Sequence, residues 1–406
     1  MPPDLPGLPA PAPALENAQR RHLLLRAGRY ATAVATLSAC GGGGGDAGSP
    51  SPPPPPGPPP RITSVVTGLD KPWGLAFLPD GSALVTEKPG RLRRVGTDGT
   101  ISAAIAGVPA VYYAGNTQGG LLDVVIDPNF ASNRRIYLSY AEPDQGGAIT
   151  GIGTAVARAV LSHDHMSLSL VTVIYRQMPR FNGDGHFGSR LVFGRDGHLF
   201  VTLGDRQVQN NAPQTTDNHL GKVVRIDTNG NNPGNNFSGL IWSVGHRNPQ
   251  GAAIHPDTGE LWISEHGPLG GDEINRVLRG GNYGWPRVSY GCPYDQTPGN
   301  ACRIGGGTHA PSFAEPAWYW VPISCAPAGM CFYTGERFPE WRGNLFVGTM
   351  ADQRCLRRLT LRGNTIIAEE QLFRSLDVRM RDVEQGPDGW LYVLDESRGH
   401  LLRIDR

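Results

Sequence analysis

Residues 72–95, PWGLAFLPDGSALVTEKPGRLRRV, carry the clearest structural signal of the chain. An apolar run of alternating character leads into a Pro-Asp-Gly turn, a second run, a short break and a third run. Asp-Gly turns between short runs of β-favouring residues are typical of antiparallel hairpins. The segment therefore predicts three neighbouring antiparallel strands.

The same unit recurs five more times. The further copies are residues 120–141, 189–205, 251–267, 337–350 and 381–397. Each copy places an Asp-Gly, Asp-Pro or comparable polar turn between two short β-type runs, and helical periodicity is nearly absent. Repeated antiparallel units of this kind favour a radial array. We predict an all-β fold, a six-bladed β-propeller of four-stranded antiparallel blades.

The first sixty residues differ in composition from the rest. Residues 20–40 begin with basic side chains, continue through a mildly apolar stretch and end in LSAC at Cys40. This layout predicts an export signal over 1–40 with a lipobox-like end, whose cysteine would be lipidated; the alternative is an Ala-rich tail with an incidental cysteine. The glycine run and polyproline run of 41–60 predict a linker. The expected propeller domain is 61–406, in the periplasm or cell envelope and lipid-anchored at Cys40.

Charge and hydropathy limit the classes of partner that the chain is expected to bind. The chain has 37 Lys and Arg against 36 Asp and Glu, a formal net charge of +1. Such a balance does not favour nucleic acid as a partner. Past the N-terminal segment, no apolar run is long enough to span a bilayer, so membrane contact is expected only through the lipid anchor.

Five cysteines follow Cys40. Two pairs bracket short loops, and an oxidising compartment would allow both disulfides, Cys292–Cys302 and Cys325–Cys331. Cys355 is left over. The alternative, a metal site with cysteine ligands, lacks paired C-x-x-C spacing.

Seven segments carry a family resemblance. They are GLDKPWGLAFLPDG, QGGLLDVVIDPNFASNRRIYLSYAE, HFGSRLVFGRDGHLFVTLGD, GHRNPQG, GDEINRVLRGGNYGWP, APAGMCFYTG and VRMRDVEQGPDG. In order, and through nearly the whole of 61–406, they resemble the soluble glucose and aldose sugar dehydrogenases that depend on pyrroloquinoline quinone (PQQ). SEHGPLGGDEIN and APAGMCFYTG are similar to the aldose sugar dehydrogenase branch. The resemblance implies oxidation of an aldose to a lactone with PQQ and calcium, and an external electron acceptor, a quinone or small redox carrier.

Three residues match the expected catalytic positions. His186 in HFGSRLV stands where the family has its base, and an imidazole titrates near neutral pH. Asp205 in TLGD is expected to orient that imidazole. Arg247 in GHRNPQG has a planar fork suited to a carboxylate or a developing negative charge.

PQQ carries three carboxylates, so its pocket needs cations and planar donors. The residues that match cofactor-binding positions are Gln118, Arg247, Asn248, Ala326, Pro327, Ala328, Arg379 and Arg381. Arg379 and Arg381 alternate, so a strand would aim both guanidinium groups at one face. The alternative for these two arginines is a solvated surface.

Calcium is expected at oxygen ligands. The resemblance implies that the backbone carbonyls of Gly267 and Pro268 bind one ion and that Asp272 supports their loop. Glu273 and Tyr283 resemble the residues that bind a further structural calcium.

Two departures from the family pattern are visible. The glucose-specific members have a glutamine where this chain has His266. They also have a lysine that contacts PQQ in the fifth repeat, and this chain has no lysine near Ala351. Either Arg354 substitutes for that lysine or PQQ binds more weakly.

Two other functions remain open from the sequence. One is a calcium-dependent sugar lactonase on the same architecture, which would not explain Gln118, Arg247, Arg379 and Arg381 together. The other is a binding module that has lost catalysis; His186 and Arg247 argue against it and the missing lysine argues for it.

Overall fold

The computed structural model describes residues 58–115, 117–146, 151–208 and 210–406. The predicted export signal and nearly all of the predicted linker lie outside these residues. Within the described ranges, the strands are, in chain order, β1 (Arg61–Val66), β2 (Pro72–Phe77), β3 (Ala83–Glu87), β4 (Arg91–Val95), β5 (Leu121–Ile126), β6 (Arg135–Glu142), β7 (Gly153–Leu161), β8 (Leu168–Arg176), β9 (Gly188–Phe193), β10 (Leu199–Leu203), β11 (Lys222–Ile226), β12 (Ile241–Val244), β13 (Pro249–Ile254), β14 (Leu261–Glu265), β15 (Asp272–Val277), β16 (Trp318–Trp320), β17 (Pro327–Phe332), β18 (Leu345–Thr349), β19 (Leu356–Arg362), β20 (Thr365–Leu372), β21 (Met380–Gln385), β22 (Leu391–Asp395) and β23 (His400–Asp405).

Helical structure is short wherever the chain is described. One α-helix, α1, spans Phe130–Asn133, and four 3₁₀ turns span Ala212–Gln214, Ile304–Gly306, Pro339–Trp341 and Arg374–Leu376. None of these helices is long and apolar enough to cross a membrane.

The strands form six antiparallel sheets, which confirms the predicted six-bladed β-propeller. Blades 1 to 5 follow the chain as β2–β4, β5–β8, β9–β12, β13–β16 and β17–β20. Blade 6 combines β21, β22 and β23 with β1, where Arg61 pairs with Asp405. Blade 1 has three strands in its sheet and the others have four. Because the first strand completes the last blade, the ring is closed by hydrogen bonds and the end blades keep few free edges.

The hydrophobic core lies between neighbouring blades. Leu84 of blade 1 and Leu138 of blade 2 belong to one buried cluster, and further clusters join each next pair of blades around the ring. The inner strands β2, β5, β9, β13, β17 and β21 are mostly buried, and each contacts the inner strands of the adjacent blades. Apolar burial on this scale stabilises the ring at about 25 cal/mol per Å².

The fifth repeat differs from its prediction. Residues 337–350 were expected to hold two strands around a polar turn, yet Pro339–Trp341 is a 3₁₀ turn and only β18 follows it. The partner strand is β17, which comes before the segment. Proline lacks the N–H that a strand ladder needs, and Trp341 packs instead against Phe338 with ring centroids 4.0 Å apart.

One of the two predicted disulfides is present and the other is not. Cys292 and Cys302 are bonded, with Cα atoms 5.2 Å apart, which confirms that pair. The Cys325–Cys331 prediction is wrong, because both residues are free and buried. Cys325 packs in the core between blades 4 and 5, whereas Cys331 on β17 packs in the core between blades 5 and 6. The two thiols therefore lie in different cores, on opposite sides of blade 5, and do not meet. Cys355 is also free and buried.

Candidate active site

His186 lies in the turn that leads into β9 and has a positive φ of 51°. Its Nδ1 lies 2.6 Å from Oδ1 of Asp205, which follows β10. Burial lowers the pKa of His186 below its ordinary value of 6.5; the hydrogen bond to Asp205 opposes this shift and the charge of Arg247 adds to it. The imidazole is therefore neutral at neutral pH. With the Nδ1 proton shared with Asp205, Nε2 is the nitrogen left to accept a proton.

Asp205 is itself fixed by two further donors. Trp285 Nε1 donates to its Oδ2 at 2.8 Å, and the backbone N–H of Gln207 donates to its Oδ1 at 2.8 Å. These contacts leave the carboxylate little rotational freedom, so the imidazole is held in one orientation. The sequence did not single out Trp285, because it comes from a loop of blade 4, eighty residues away.

Arg247 lies beside the base in the connection between β12 and β13. Its Nη1 donates to the His266 carbonyl at 3.2 Å and its Nη2 donates to the hydroxyl of Tyr294 at 2.9 Å. The guanidinium lies 5.2 Å from the Trp285 ring centroid. Tyr294 stands within the loop that the Cys292–Cys302 disulfide closes. A cavity of about 690 Å³ is lined by these groups together with His186.

Gln118 and Asn248 tie neighbouring segments to the base. Gln118 Oε1 accepts the backbone N–H of His186 at 2.9 Å, and Asn248 Oδ1 accepts the backbone N–H of Gly188 at 3.1 Å. The structure thus brings both predicted amides to the turn that carries His186.

A second cleft, of about 290 Å³, is lined by Gln118 and by four basic side chains, Lys71, Lys88, Arg379 and Arg381. The prediction that Arg379 and Arg381 point to one face is confirmed, because both donate to Oε2 of Glu396, at 2.9 and 2.8 Å. Although burial alone would raise it, the charges of Arg381, Arg379 and Lys88 hold the pKa of Glu396 at about 2. One carboxylate thus faces four cations, and this cationic cleft retains an excess of positive charge.

The predicted calcium loop is braced by Asp272. Its Oδ1 accepts the N–H of Gly267 and its Oδ2 accepts the N–H of Ala326, at 2.9 and 2.8 Å. Pro268 lines the same cavity as His186 and Arg247. Asp272 therefore does support this loop, as expected, and holds it against the Ala326 segment.

His266 connects the same two segments. Its Nε2 contacts the Pro327 carbonyl at 2.9 Å. Burial, together with the charges of Arg247, Arg381 and the neighbouring His186, lowers the pKa of His266 to about 3. It is neutral at any physiological pH and acts as a hydrogen-bond donor. The Ala328 carbonyl accepts a hydrogen bond from Ser264, so Ala326, Pro327 and Ala328 are all held by blade 4.

Glu273 and Tyr283, predicted at a second calcium, line one small cavity together with Glu265. Glu273 pairs with Glu265 across β14 and β15, and Asn275 donates to both carboxylates. Burial and the charge of Glu265 raise the pKa of Glu273 well above its ordinary value. The Tyr283 ring stacks on His246, and its hydroxyl donates to the Arg276 carbonyl at 2.6 Å. Wherever side chains are described, no cluster of three or more His, Cys, Asp or Glu has the geometry of a metal site.

Arg354, the predicted substitute for the missing lysine, does not line either cavity. It forms an ion pair with Asp377, with Nε 3.0 Å from Oδ1, and its side chain is 36% exposed. The lysines that do line the cationic cleft are Lys71 and Lys88, which the sequence did not single out.

The arrangement joins a neutral, oriented base to a chamber lined by Arg247 and two aromatic rings, and beyond it to a cationic cleft. It suits removal of a proton from a neutral substrate beside a planar polyanion. Pro268 of the 267–268 loop lines the same chamber.

Comparison with known proteins places this geometry among sugar dehydrogenases. The model of the glucose/sorbosone dehydrogenase family matches residues 69–403. The chain is 42% identical over 347 residues to the aldose sugar dehydrogenase YliI of Escherichia coli, covering 83% of this chain and 90% of that protein. The apo structure of the soluble aldose sugar dehydrogenase of Escherichia coli aligns with a TM-score of 0.78 and 39% identity, over 86% of this chain and 99% of the other. The PQQ-bound aldose sugar dehydrogenase of Streptomyces coelicolor aligns with a TM-score of 0.70 and 26% identity, over 86% and 99%.

Proposed function

Because the chain belongs to the glucose/sorbosone dehydrogenase family, we propose that it oxidises aldose sugars at the anomeric carbon to lactones, with PQQ and calcium as cofactors. The observation that carries the proposal is the buried His186–Asp205 pair, which opens on a chamber beside a cationic cleft. When bound, PQQ supplies an ortho-quinone that accepts the hydride from the anomeric carbon.

The residues present fit a planar, anionic cofactor. Arg247 Nε, Arg381 Nε and Asn248 Nδ2 are buried donors that have no hydrogen-bond acceptor within the described part of the chain. Buried donors without acceptors are costly. Carboxylate and carbonyl oxygens are the acceptors that such donors lack. Gln118, Arg247, Asn248, Arg379 and Arg381 are the side chains that would hold the cofactor, and the 326–328 segment would border it.

His186 is proposed to take the proton of the anomeric hydroxyl at Nε2. Asp205 keeps the Nδ1 proton in place and stabilises the imidazolium that forms, as carboxylates do for catalytic histidines. Trp285 and the N–H of Gln207 hold Asp205, so the base is oriented before the sugar binds.

Arg247 is proposed to stabilise the negative charge that would develop on the hydride acceptor as the hydride leaves the anomeric carbon. Its guanidinium is already fixed by the His266 carbonyl and Tyr294, which avoids reorganisation during the reaction. Trp285 and Tyr294 also line the chamber, and their rings offer an apolar surface to a bound sugar.

Calcium is proposed at the carbonyls of Gly267 and Pro268, where it would act as a Lewis acid toward the cofactor. The brace by Asp272 supports this, because it fixes a loop whose Pro268 lines the reaction chamber. A second ion is proposed near Glu273 and Tyr283. Glu273 and Glu265 are buried carboxylates that repel each other, and a cation would relieve that repulsion.

The test is a single-turnover reaction. The PQQ- and calcium-loaded chain is mixed with an aldose in the absence of any electron acceptor, and the cofactor absorbance and the sugar products are followed together. We expect one lactone formed for each cofactor reduced. Consumption of added lactone without cofactor reduction would indicate a lactonase, and sugar binding without product would indicate a binding module; either result would overturn the proposal.

For location, we propose export and lipid anchoring at Cys40. The support is the sequence of residues 20–60 alone. We expect metabolic labelling with a fatty acid to mark the wild-type protein. The label should be lost in a Cys40→Ser variant.

A further inference from the structure

Lys88 lies directly after β3 in blade 1, at the wall of the cationic cleft. Its side chain is 9% exposed, and its Nζ donates to the Thr117 carbonyl at 2.6 Å. Nζ also lies 3.9 Å from Oε1 of Glu396. The ammonium is thus held at the cleft wall by one backbone oxygen and one carboxylate, beside residues that line the cleft with it.

The charges around Lys88 do not balance. Among the described residues, Glu396 is the one carboxylate that lines the cleft, and its Oε2 is already bound by Arg379 and Arg381. Lys71 adds a fourth cation at the rim. A buried ammonium placed next to two guanidinium groups is unfavourable unless an anion shares the site. The cleft therefore has the electrostatics of a polyanion site.

The position of the cleft identifies the anion. Gln118 lines the cleft and also accepts the backbone N–H of His186, so the cleft adjoins the base. A polyanion bound here and extending toward His186 matches the carboxylate-bearing cofactor of the proposed function. Blade 5, where the family resemblance places a lysine, offers no such group, because Arg354 is paired with Asp377 outside both cavities.

We propose that Lys88 binds a carboxylate of the cofactor and takes the place of the lysine that blade 5 lacks. This inference rests on the proposed function. The same charge, delivered from blade 1 instead of blade 5, would compensate the same ligand.

The titration of Lys88 adds a second readout. Burial and the charges of Arg381, Arg379 and Lys71, opposed by the charge of Glu396, together lower its pKa to about 8. The other group that faces it is the ring of Tyr113, with its centroid 5.8 Å from Nζ. Since only the protonated form attracts an anion, PQQ affinity should be constant below pH 8 and fall as the pH rises above it.

The experiment is a titration of the full apo chain with PQQ in calcium buffer, followed by cofactor absorbance, on wild type, Lys88→Met, Lys88→Arg and Arg354→Met. We expect Lys88→Met to weaken PQQ binding roughly 10- to 100-fold, as for loss of a charge-assisted hydrogen bond. Lys88→Arg should restore most of the affinity, and Arg354→Met should match wild type.

The outcomes separate the two proposals. If Lys88→Met binds PQQ as tightly as wild type does, the role of Lys88 is overturned and the proposed function remains intact. Loss of affinity in Arg354→Met instead would assign the role to blade 5. Wild type that fails to bind PQQ overturns both. If Lys88→Met does not fold, the wild-type affinity between pH 7 and 10 decides: a fall above pH 8 supports Lys88, and a flat profile overturns it.

Discussion

Nδ1 of His186 lies 2.6 Å from Oδ1 of Asp205, and both side chains are almost fully buried. The second oxygen of Asp205 is bound by Trp285. Asp205 of blade 3 and Trp285 of blade 4 thus orient the imidazole of His186. The orientation of this base is fixed by contacts across a blade interface and not by its own turn.

Replacing His186 should remove catalysis and spare the cofactor site. Because φ at this position is 51°, His186→Asn is preferable to Ala, which tolerates that conformation less well. We expect kcat to fall by at least about 100-fold, since a general base contributes roughly 10²–10⁴. PQQ affinity should change little, which a cofactor titration checks. His165→Asn, at another histidine with positive φ but far from the chamber, is the matched control.

The pH profile of kcat/KM should report the same histidine. The base acts when neutral, so activity is lost as the pH falls through the pKa of His186, and burial places that acidic limb below pH 6.5. In Asp205→Asn the imidazolium loses its stabilising carboxylate. The limb should therefore move to still lower pH, and the plateau should drop by roughly 100-fold. A limb that moves to higher pH would contradict the role given to Asp205.

Arg247→Lys keeps the charge and loses the planar fork. The lysine cannot contact the His266 carbonyl and Tyr294 together, so we expect kcat/KM to fall roughly 10- to 100-fold. Tyr294→Phe, which removes one of the two contacts, should cost less. Unchanged steady-state kinetics in Arg247→Lys would place the guanidinium outside the reaction.

The Cys292–Cys302 disulfide should matter for both stability and binding. It closes a short loop that carries Tyr294 over the chamber. A double Cys292→Ser, Cys302→Ser variant should lose up to about 3 kcal/mol of unfolding free energy in chemical denaturation. KM should rise more than kcat falls, because Tyr294 loses its fixed position while His186 does not. A change in kcat alone would show that the loop does not shape the sugar site.

Calcium removal should destabilise the wild type. A ligand that binds only the folded state adds about 2.7 kcal/mol at 100 times its Kd, so a chelator should lower the thermal midpoint by several degrees. Glu273→Gln should start lower and respond less to the chelator. If the two proteins respond equally, the second ion does not lie at Glu273.

The blades were predictable because their signals are local. A Pro-Asp-Gly turn between two β-type runs determines a hairpin within about twenty residues, as in 72–95 and 381–397. The fifth repeat was mispredicted where the local pattern was weakest, at Pro339–Trp341. The Cys325–Cys331 pair failed for a related reason: short spacing suggested a bridge, yet the two thiols pack in different cores on opposite sides of blade 5.

The site was only partly predictable. His186, Asp205, Arg247 and the Arg379–Arg381 pair lie within recognisable motifs. Lys88 and Glu396 lie in the first and last repeats and Trp285 lies in GGNYGWP, but no local pattern gives them a role. They reach the site only because ring closure brings blades 1, 4 and 6 to one channel. The contact between Lys88 and Glu396 spans 308 positions of the chain, so no local pattern could indicate it.

The most direct test of the account is reconstitution of dehydrogenase activity in the full chain. Dye reduction is measured with a panel of aldoses after adding PQQ and calcium together, and each alone. The account predicts activity only when both are present, and none in His186→Asn under the same conditions. Activity without PQQ, or full activity in His186→Asn, would contradict it.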